Sequence, residues 1–259
     1  MKKLTRILSL VLVFAMLSLA LSSCGATAEQ RVAEAMTKMA TAKKSDCTVN
    51  VKMKMASSGQ TQEVPMTMVI KSDISDEKSP VLYMDMSMTV GNISTAMKTF
   101  YKDGFLYTEA QGQKYKVQKS YEEMLEDDSS ASFNMTDIFE AKKDASADNF
   151  KITKNDDGTL SVEMLVTKDE FASDFKEFAE QLSSIAVNGG TVEVADTLFQ
   201  LVIDKDNNIT SIMAVMNMEI KYFGEIMSVS YDMIFTYNPV DGDYEVALPE
   251  NLDEYREIK

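Results

Sequence analysis

The sequence predicts an α+β protein, one antiparallel sheet of about ten strands with helices packed over its apolar face. Three features predict it. Apolar side chains recur at every second position through much of the chain, the period of a strand with one wet and one apolar face. Turn pairs such as Asp103-Gly104 separate these runs, and sequential hairpins build an antiparallel sheet. Residues Thr167 to Ile185 follow a helical period instead, as an amphipathic cover would.

The chain opens on a positively charged segment, Met1-Lys-Lys-Leu-Thr-Arg6, followed by an uncharged stretch from Ile7 to Leu21 and the small residues Ser22 and Ser23. This is the charge, core and cleavage pattern of a secretory signal. Its apolar run of about 15 residues falls short of the roughly 20 that a spanning helix needs. Leu21-Ser22-Ser23-Cys24 resembles the lipobox of bacterial lipoproteins. That resemblance implies diacylglyceryl transfer to the Cys24 thiol, cleavage before it, and stable anchoring on the outer face of a membrane by two or three acyl chains. Residues 1–23 are therefore expected to be removed, 24–30 to form a tether, and 31–259 to form a single domain.

A helix is expected from about Glu29 to Lys43, with Val32, Ala35, Met36 and Met39 on one stripe. The period then changes. Val49, Val51, Met53 and Met55 alternate with Asn50, Lys52 and Lys54. Val64, Met66, Met68 and Ile70 form a second alternating run, and Leu82, Met84, Met86, Met88 and Val90 a third. Asp103-Gly104 and Gln111-Gly112 mark the next hairpins. Ser120 to Asp127 and Asn134 to Lys143 read as short helices. Asn155-Asp-Asp-Gly158 turns another hairpin. Thr167 and Glu170 stand at capping-box spacing. Phe171, Phe175, Phe178, Leu182 and Ile185 follow on one helical face, and Asn188-Gly189-Gly190 ends the helix. Strands are expected again over Thr191–Ile203, Ile209–Tyr222 and Glu225–Tyr237, with a short final strand and a polar tail after Asp241-Gly242.

Composition narrows the function. Without the leader's Lys2, Lys3 and Arg6, 23 basic residues face 41 acidic ones, a net charge of −18. Such a surface repels nucleic acid and bare anionic lipid, so nucleic acid is excluded as a partner. The chain holds no histidine, which removes Ser/His/Asp and Cys/His catalysis, and no motif calls for a cofactor. An enzyme is not expected. With Cys24 lipidated, Cys47 is the one remaining cysteine and reads as a small apolar residue on a strand. Asp204, Asp206 and Asn208 begin like a calcium loop. Ile209 stands where that loop needs glycine and Val215 where it needs glutamate, so a polar hairpin turn is the better reading.

Methionine is over-used, with 20 in the chain. Met84-x-Met86-x-Met88 sets three thioethers on one strand face, a donor type that suits Cu(I). No histidine accompanies them, and their stripe is shared with valine and isoleucine. A deformable apolar face is the better reading from sequence, and no metal site is assigned. One long amphipathic helix is little cover for so many apolar strand faces. The expected outcome is a greasy cleft lined by Met53, Met55, Met66, Met68, Met84, Met86 and Met88 on the sheet, with Phe171, Phe175 and Phe178 on the helix side.

The lipobox, the single leading helix, the alternating strands and the hairpin Tyr101-Lys-Asp-Gly-Phe-Leu-Tyr107, continuing to Gly112-Gln-Lys-Tyr115, together resemble the LolA/LppX-like lipoproteins. The similarity runs over about residues 29 to 250, and is strongest to a group of Gram-positive lipoproteins of unknown function. It implies a strongly curved antiparallel sheet, a half-barrel with helices on its concave face. It also implies a cavity that carries acyl chains or, in relatives of another kind, a regulatory sensor domain. No ligand contact of the family maps onto a residue here. Two functions follow as expectations: a tethered module binding a lipid or other hydrophobic ligand, or a regulatory or structural cell-envelope interaction module whose core is closed.

Overall fold

A computed structural model of the chain describes residues 26–127, 150–170, 191–222, 225–240 and 242–258. The signal segment, Cys24, the expected helix at 134–143, and Phe171, Phe175 and Phe178 lie outside the described residues.

The first element among the described residues is helix α1, Ala28–Thr41. Thr27 caps it: its hydroxyl accepts from the Gln30 backbone N–H, while the Gln30 side chain accepts from the Thr27 N–H. This reciprocal box satisfies two N–H groups that the first turn leaves free, and it starts the helix inside the stretch expected to be a tether. Val32 and Ala35 are buried on one stripe, with Met36 and Met39 packed beside them.

Six strands follow in meander: β1 (Lys44–Ser57), β2 (Gln60–Asp73), β3 (Val81–Val90), β4 (Ile93–Lys102), β5 (Phe105–Ala110) and β6 (Gln113–Gln118). Two-residue turns join four of their five connections. Asp103 and Gly104 take φ of 50° and 78°, the left-handed pair whose twist matches the flanking strands. Pro65 sits in β2 just before Met66, where pairing with β3 begins, so its missing N–H interrupts no ladder bond on that side. Short helix α2, Tyr121–Asp127, comes next. Then follow β7 (Phe150–Lys154), β8 (Leu160–Val166), β9 (Thr191–Val194), β10 (Thr197–Ile203), β11 (Ile209–Tyr222), β12 (Glu225–Tyr237) and β13 (Arg256–Glu257).

The thirteen strands of the described residues belong to one sheet, in the order β13-β6-β5-β4-β3-β2-β1-β12-β11-β10-β8-β7, with β9 beside β11. Every pairing is antiparallel except β13 with β6. The two ends of this path do not pair, so the sheet is open. Long-range pairing of β1 with β12, from Cys47–Tyr237 to Ala56–Ser228, joins the two meanders into one surface.

Three expectations need correction. The described fold is mostly sheet, with more strands than the expected ten, and is not a balanced α+β arrangement. The strand expected over Thr191–Ile203 is two strands. Between the pairs Val194–Met218 and Leu198–Val215, this side carries one residue more than β11. The extra residue is a bulge that lets Val194 and Thr197 face the same side. Asp196 leaves the ladder there and accepts the Lys168 N–H at 2.8 Å. Finally, no strand directly follows Gly242. The last short strand is β13, and it pairs in parallel.

One face of the sheet holds the main core. Leu160, Val162, Met164 and Val166 of β8, Phe199, Leu201 and Ile203 of β10, and Ile212 and Ala214 of β11 are essentially inaccessible. Helix α1 packs over them. Each large side chain sealed this way stabilises the fold by about 1.5–3 kcal/mol. Arg31 fastens the helix at its ends of contact. Its guanidinium donates to Asn207 Oδ1 at 2.7 Å, to the Asp204 carbonyl at 2.7 Å and to the Gly158 carbonyl at 3.1 Å.

The opposite face carries a second, unexpected core. Phe100 and Tyr107 face each other across β4 and β5 and stack at 4.7 Å. The C-terminal segment folds back so that Tyr255 covers both rings, with Tyr83, Phe105, Leu248 and Leu252 around them. Strands β4 and β5 are therefore apolar on both faces, where the alternation predicts one wet face.

Candidate functional site

Cross-strand register decides which candidate side chains share a surface, because directly paired residues project to the same side. The register pairs Val51 with Met66 and Val49 with Met68. It pairs Met66 with Met88, Met68 with Met86 and Ile70 with Met84. Met53 stands opposite Val64 on β2 and Tyr231 on β12, and Met55 opposite Val229. All seven candidate methionines therefore lie on the face that carries the main core.

They do not share one environment. Met53 and Met55 pack against the core beneath α1. Met66 and Met68 pack against the smaller cluster of Cys47, Val49 and Val51. Met84, Met86 and Met88 extend the same surface onto β3. All seven are half-buried, whereas Met164, Met216 and Met218 of the same face are buried. The sequence reading missed Met97, which stands opposite Met86 on β4. Its neighbours Thr95 and Thr99 on that face hide the apolar alternation that marks the other strands.

Outside the aromatic cluster of Tyr83 and Phe100, the reverse side of β1–β4 is ionic. Lys71 meets Asp46 at 3.1 Å, Lys52 meets Glu63 at 3.7 Å and Lys98 meets Asp85 at 3.9 Å. Such pairs contribute little stability, but they set the polarity of that face. The strands thus present thioethers on one side and charge pairs on the other. At the far end of the methionine surface, Tyr101 meets Tyr121 of α2 with ring centroids 5.8 Å apart.

Cys47 lies on the methionine face and is buried. Burial, reinforced by the neighbouring Asp46 charge, pushes its thiol up to about 11, so it is a packed apolar group and not a nucleophile. Asp204 is equally committed. Its carboxylate accepts the N–H groups of Asp206 and Asn208 at 2.9 and 2.8 Å and the Asn208 amide at 3.0 Å, as a hairpin turn requires. Among the described residues, no group of three or more His, Cys, Asp or Glu side chains is placed to hold a metal.

A groove of about 810 Å³ opens at the ends of β1, β9, β11 and β12, lined by Lys54, Asn217 and Ser230 of the ionic side and by Val194, Met218 and Val229 of the core face, among others. None of the candidate methionines contributes to it. Its walls mix charged and apolar side chains; the candidate site is placed on the methionine face, where half-buried apolar side chains run on from β2 to β3. The capping box at Thr167 is formed, with the Thr167 N–H donating to Glu170 Oε2 at 2.8 Å and the Glu170 N–H to the Thr167 hydroxyl at 3.4 Å. Among the described residues, no helix is long and apolar enough to cross a membrane.

The model of a family of unknown function, DUF6612, matches residues 27–255, from the cap of α1 to the ring that covers Phe100. The chain belongs to this family. No curated protein matches it. Among solved structures, this member of the family is similar to LprF from Mycobacterium bovis at 12% identity, over 85% of this chain and 96% of that one, with a TM-score of 0.40. A DUF1329 family protein from Desulfovibrio piger shares 12% identity over 82% of this chain and 92% of that one, with a TM-score of 0.27. A beta-barrel-like DUF1849 protein from Brucella abortus shares 8% over 75% and 98%, with a TM-score of 0.21.

Proposed function

We propose that this chain is a membrane-anchored extracytoplasmic lipoprotein, tethered through lipid on Cys24. In this reading its single domain, residues 31–259, holds a lipid or other hydrophobic ligand without catalysing a reaction. The observation that carries the reading is the contrast within one sheet face. Where α1 covers β8, β10 and β11, the side chains are sealed. Where β2 and β3 continue that face, Met66, Met68, Met84, Met86 and Met88 stay half-buried. Partly exposed, unbranched, polarisable side chains adapt to greasy partners of varied shape. The leader and its Leu21-Ser22-Ser23-Cys24 end support an outer membrane surface as the place of action.

Titration of the mature chain with a fluorescent fatty acid tests the reading. Saturable binding, weakened by Met86→Asp in protein that stays folded, is expected. Absence of binding favours the second reading, a cell-envelope interaction module with a closed core. That alternative has its own support, since Met53, Met55, Met66 and Met68 already pack against buried clusters.

A further inference from the structure

An acyl chain needs an apolar surface, and leucine or valine would supply one. Methionine adds to such a surface a soft sulfur donor that leucine and valine lack. What the strands add to the sequence is a second dimension. Along β3 alone, Met86 and Met88 are about 7 Å apart and in line. Pairing with β2 sets Met68 opposite Met86 and Met66 opposite Met88, with directly opposed Cβ atoms about 5 Å apart. Four thioether side chains thus rise from the corners of a small rectangle on one face, and Met97 stands beside Met86 as a fifth. The centre of that rectangle is about 4 Å from each Cβ, within reach of a sulfur on a side chain with three rotatable bonds.

We propose that Met66, Met68, Met86 and Met88 form a soft-metal site that takes up monovalent copper. The proposal goes beyond the lipid reading and does not depend on it. Thioether sulfur is a soft donor that suits Cu(I) and is a poor ligand for magnesium or calcium. The donors are half-buried, open enough to be reached and sheltered enough to shed water. Among the described residues, no cluster of harder donors competes. Cys47 is on the same face but buried, with Ile70 and then Met84 as its register partners outward, so the rectangle is complete without it. Neutral thioethers bind a cation without losing a proton, and uptake is then independent of pH, unlike binding by a thiol.

The test uses the full-length chain carrying Cys24→Ser, held in amphipol, with Cu(I) supplied anaerobically under ascorbate and a chromophoric Cu(I) chelator as competitor. One Cu(I) per chain is expected, with equal affinity at pH 6 and pH 8. The variant M66L/M68L/M86L/M88L should lose at least tenfold in affinity, while M213L, on the ionic side of the sheet, should lose none. Copper K-edge absorption of the unsubstituted complex should report sulfur neighbours, a readout that does not require the fourfold variant to fold. Unchanged affinity in a folded fourfold variant, nitrogen or oxygen neighbours, or loss of copper on Cys47→Ser would each overturn the site. Fatty-acid titration and copper titration of the unsubstituted chain are independent measurements, so either reading can fail alone.

Discussion

The ring of Tyr255 meets the ring of Phe100 edge-on, with centroids 5.5 Å apart and planes at 83°. The two residues are far apart in sequence, and Tyr255 is only 3% exposed. Its hydroxyl donates to Glu109 at 3.2 Å, and the next residues pair with β6 through Arg256–Tyr115 and Glu257–Lys116. Tyr255→Ala removes a buried aromatic from a small core, so it should destabilise the chain by about 3 kcal/mol. Urea unfolding of the variant measures this. A cost below about 1 kcal/mol would show that the C-terminal strap is a loose covering.

Helix α1 is held to two hairpin turns by one guanidinium. Arg31→Ala removes three hydrogen bonds from a charged donor and should cost about 1–3 kcal/mol. Arg31→Lys should recover little, because a lysine presents a point charge where Asn207, Asp204 and Gly158 need a planar fork. Hydrogen exchange of the α1 amides should rise in both variants. Full recovery in the lysine variant would mean that charge alone, and not the fork, docks the helix.

Alkaline stability should report the Cys47 environment. The thiol is raised from an ordinary 9.0 to about 11, first by burial and then by Asp46. Burial also raises the hydroxyl of Tyr237, its hydrogen-bonded neighbour. An unfolded chain releases the thiol proton near pH 9, while the folded one keeps it to about 11. The stabilisation is therefore complete below pH 9 and lost as pH rises through about 11. Urea unfolding free energies between pH 8 and 11 should fall, and Cys47→Ala should delay the onset of the fall. Identical profiles for the two proteins would rule out the thiol as a contributor.

The proposed anchor has its own signature. Cys24→Ser should abolish lipid transfer and leave the chain uncleaved or shed, as seen by fractionation and by intact mass. Normal processing with unchanged membrane retention would refute the lipobox reading.

Much of the sheet is legible from local pattern. The bounds expected for β11 and β12 are those observed, and the turns at Asp103-Gly104, Gln111-Gly112 and Asn155–Gly158 join strands as their residue types require. These signals are local: side-chain alternation and left-handed turn residues act within a few positions. The break between β9 and β10 was not legible, because a bulge depends on what β11 offers across the ladder. Nor was the aromatic core on the reverse face, where Phe100 and Tyr107 read as outward residues until Tyr255 covers them. The methionines were legible as a stripe but not as an area, and Met97 was hidden among threonines.

By itself, the sequence showed a charged and then apolar start that resembles an export signal ending in the lipobox-like Leu21-Ser22-Ser23-Cys24, and it predicted hairpin-linked strands with a methionine-rich face. It also determined that histidine chemistry is absent. Tertiary structure decided which surfaces those strands make. It joined β1 to β12, laid α1 over β8, β10 and β11, and set Met68 against Met86. The reason is physical: a strand's own pattern says which side chains share a face, but only long-range pairing selects the neighbours beside them.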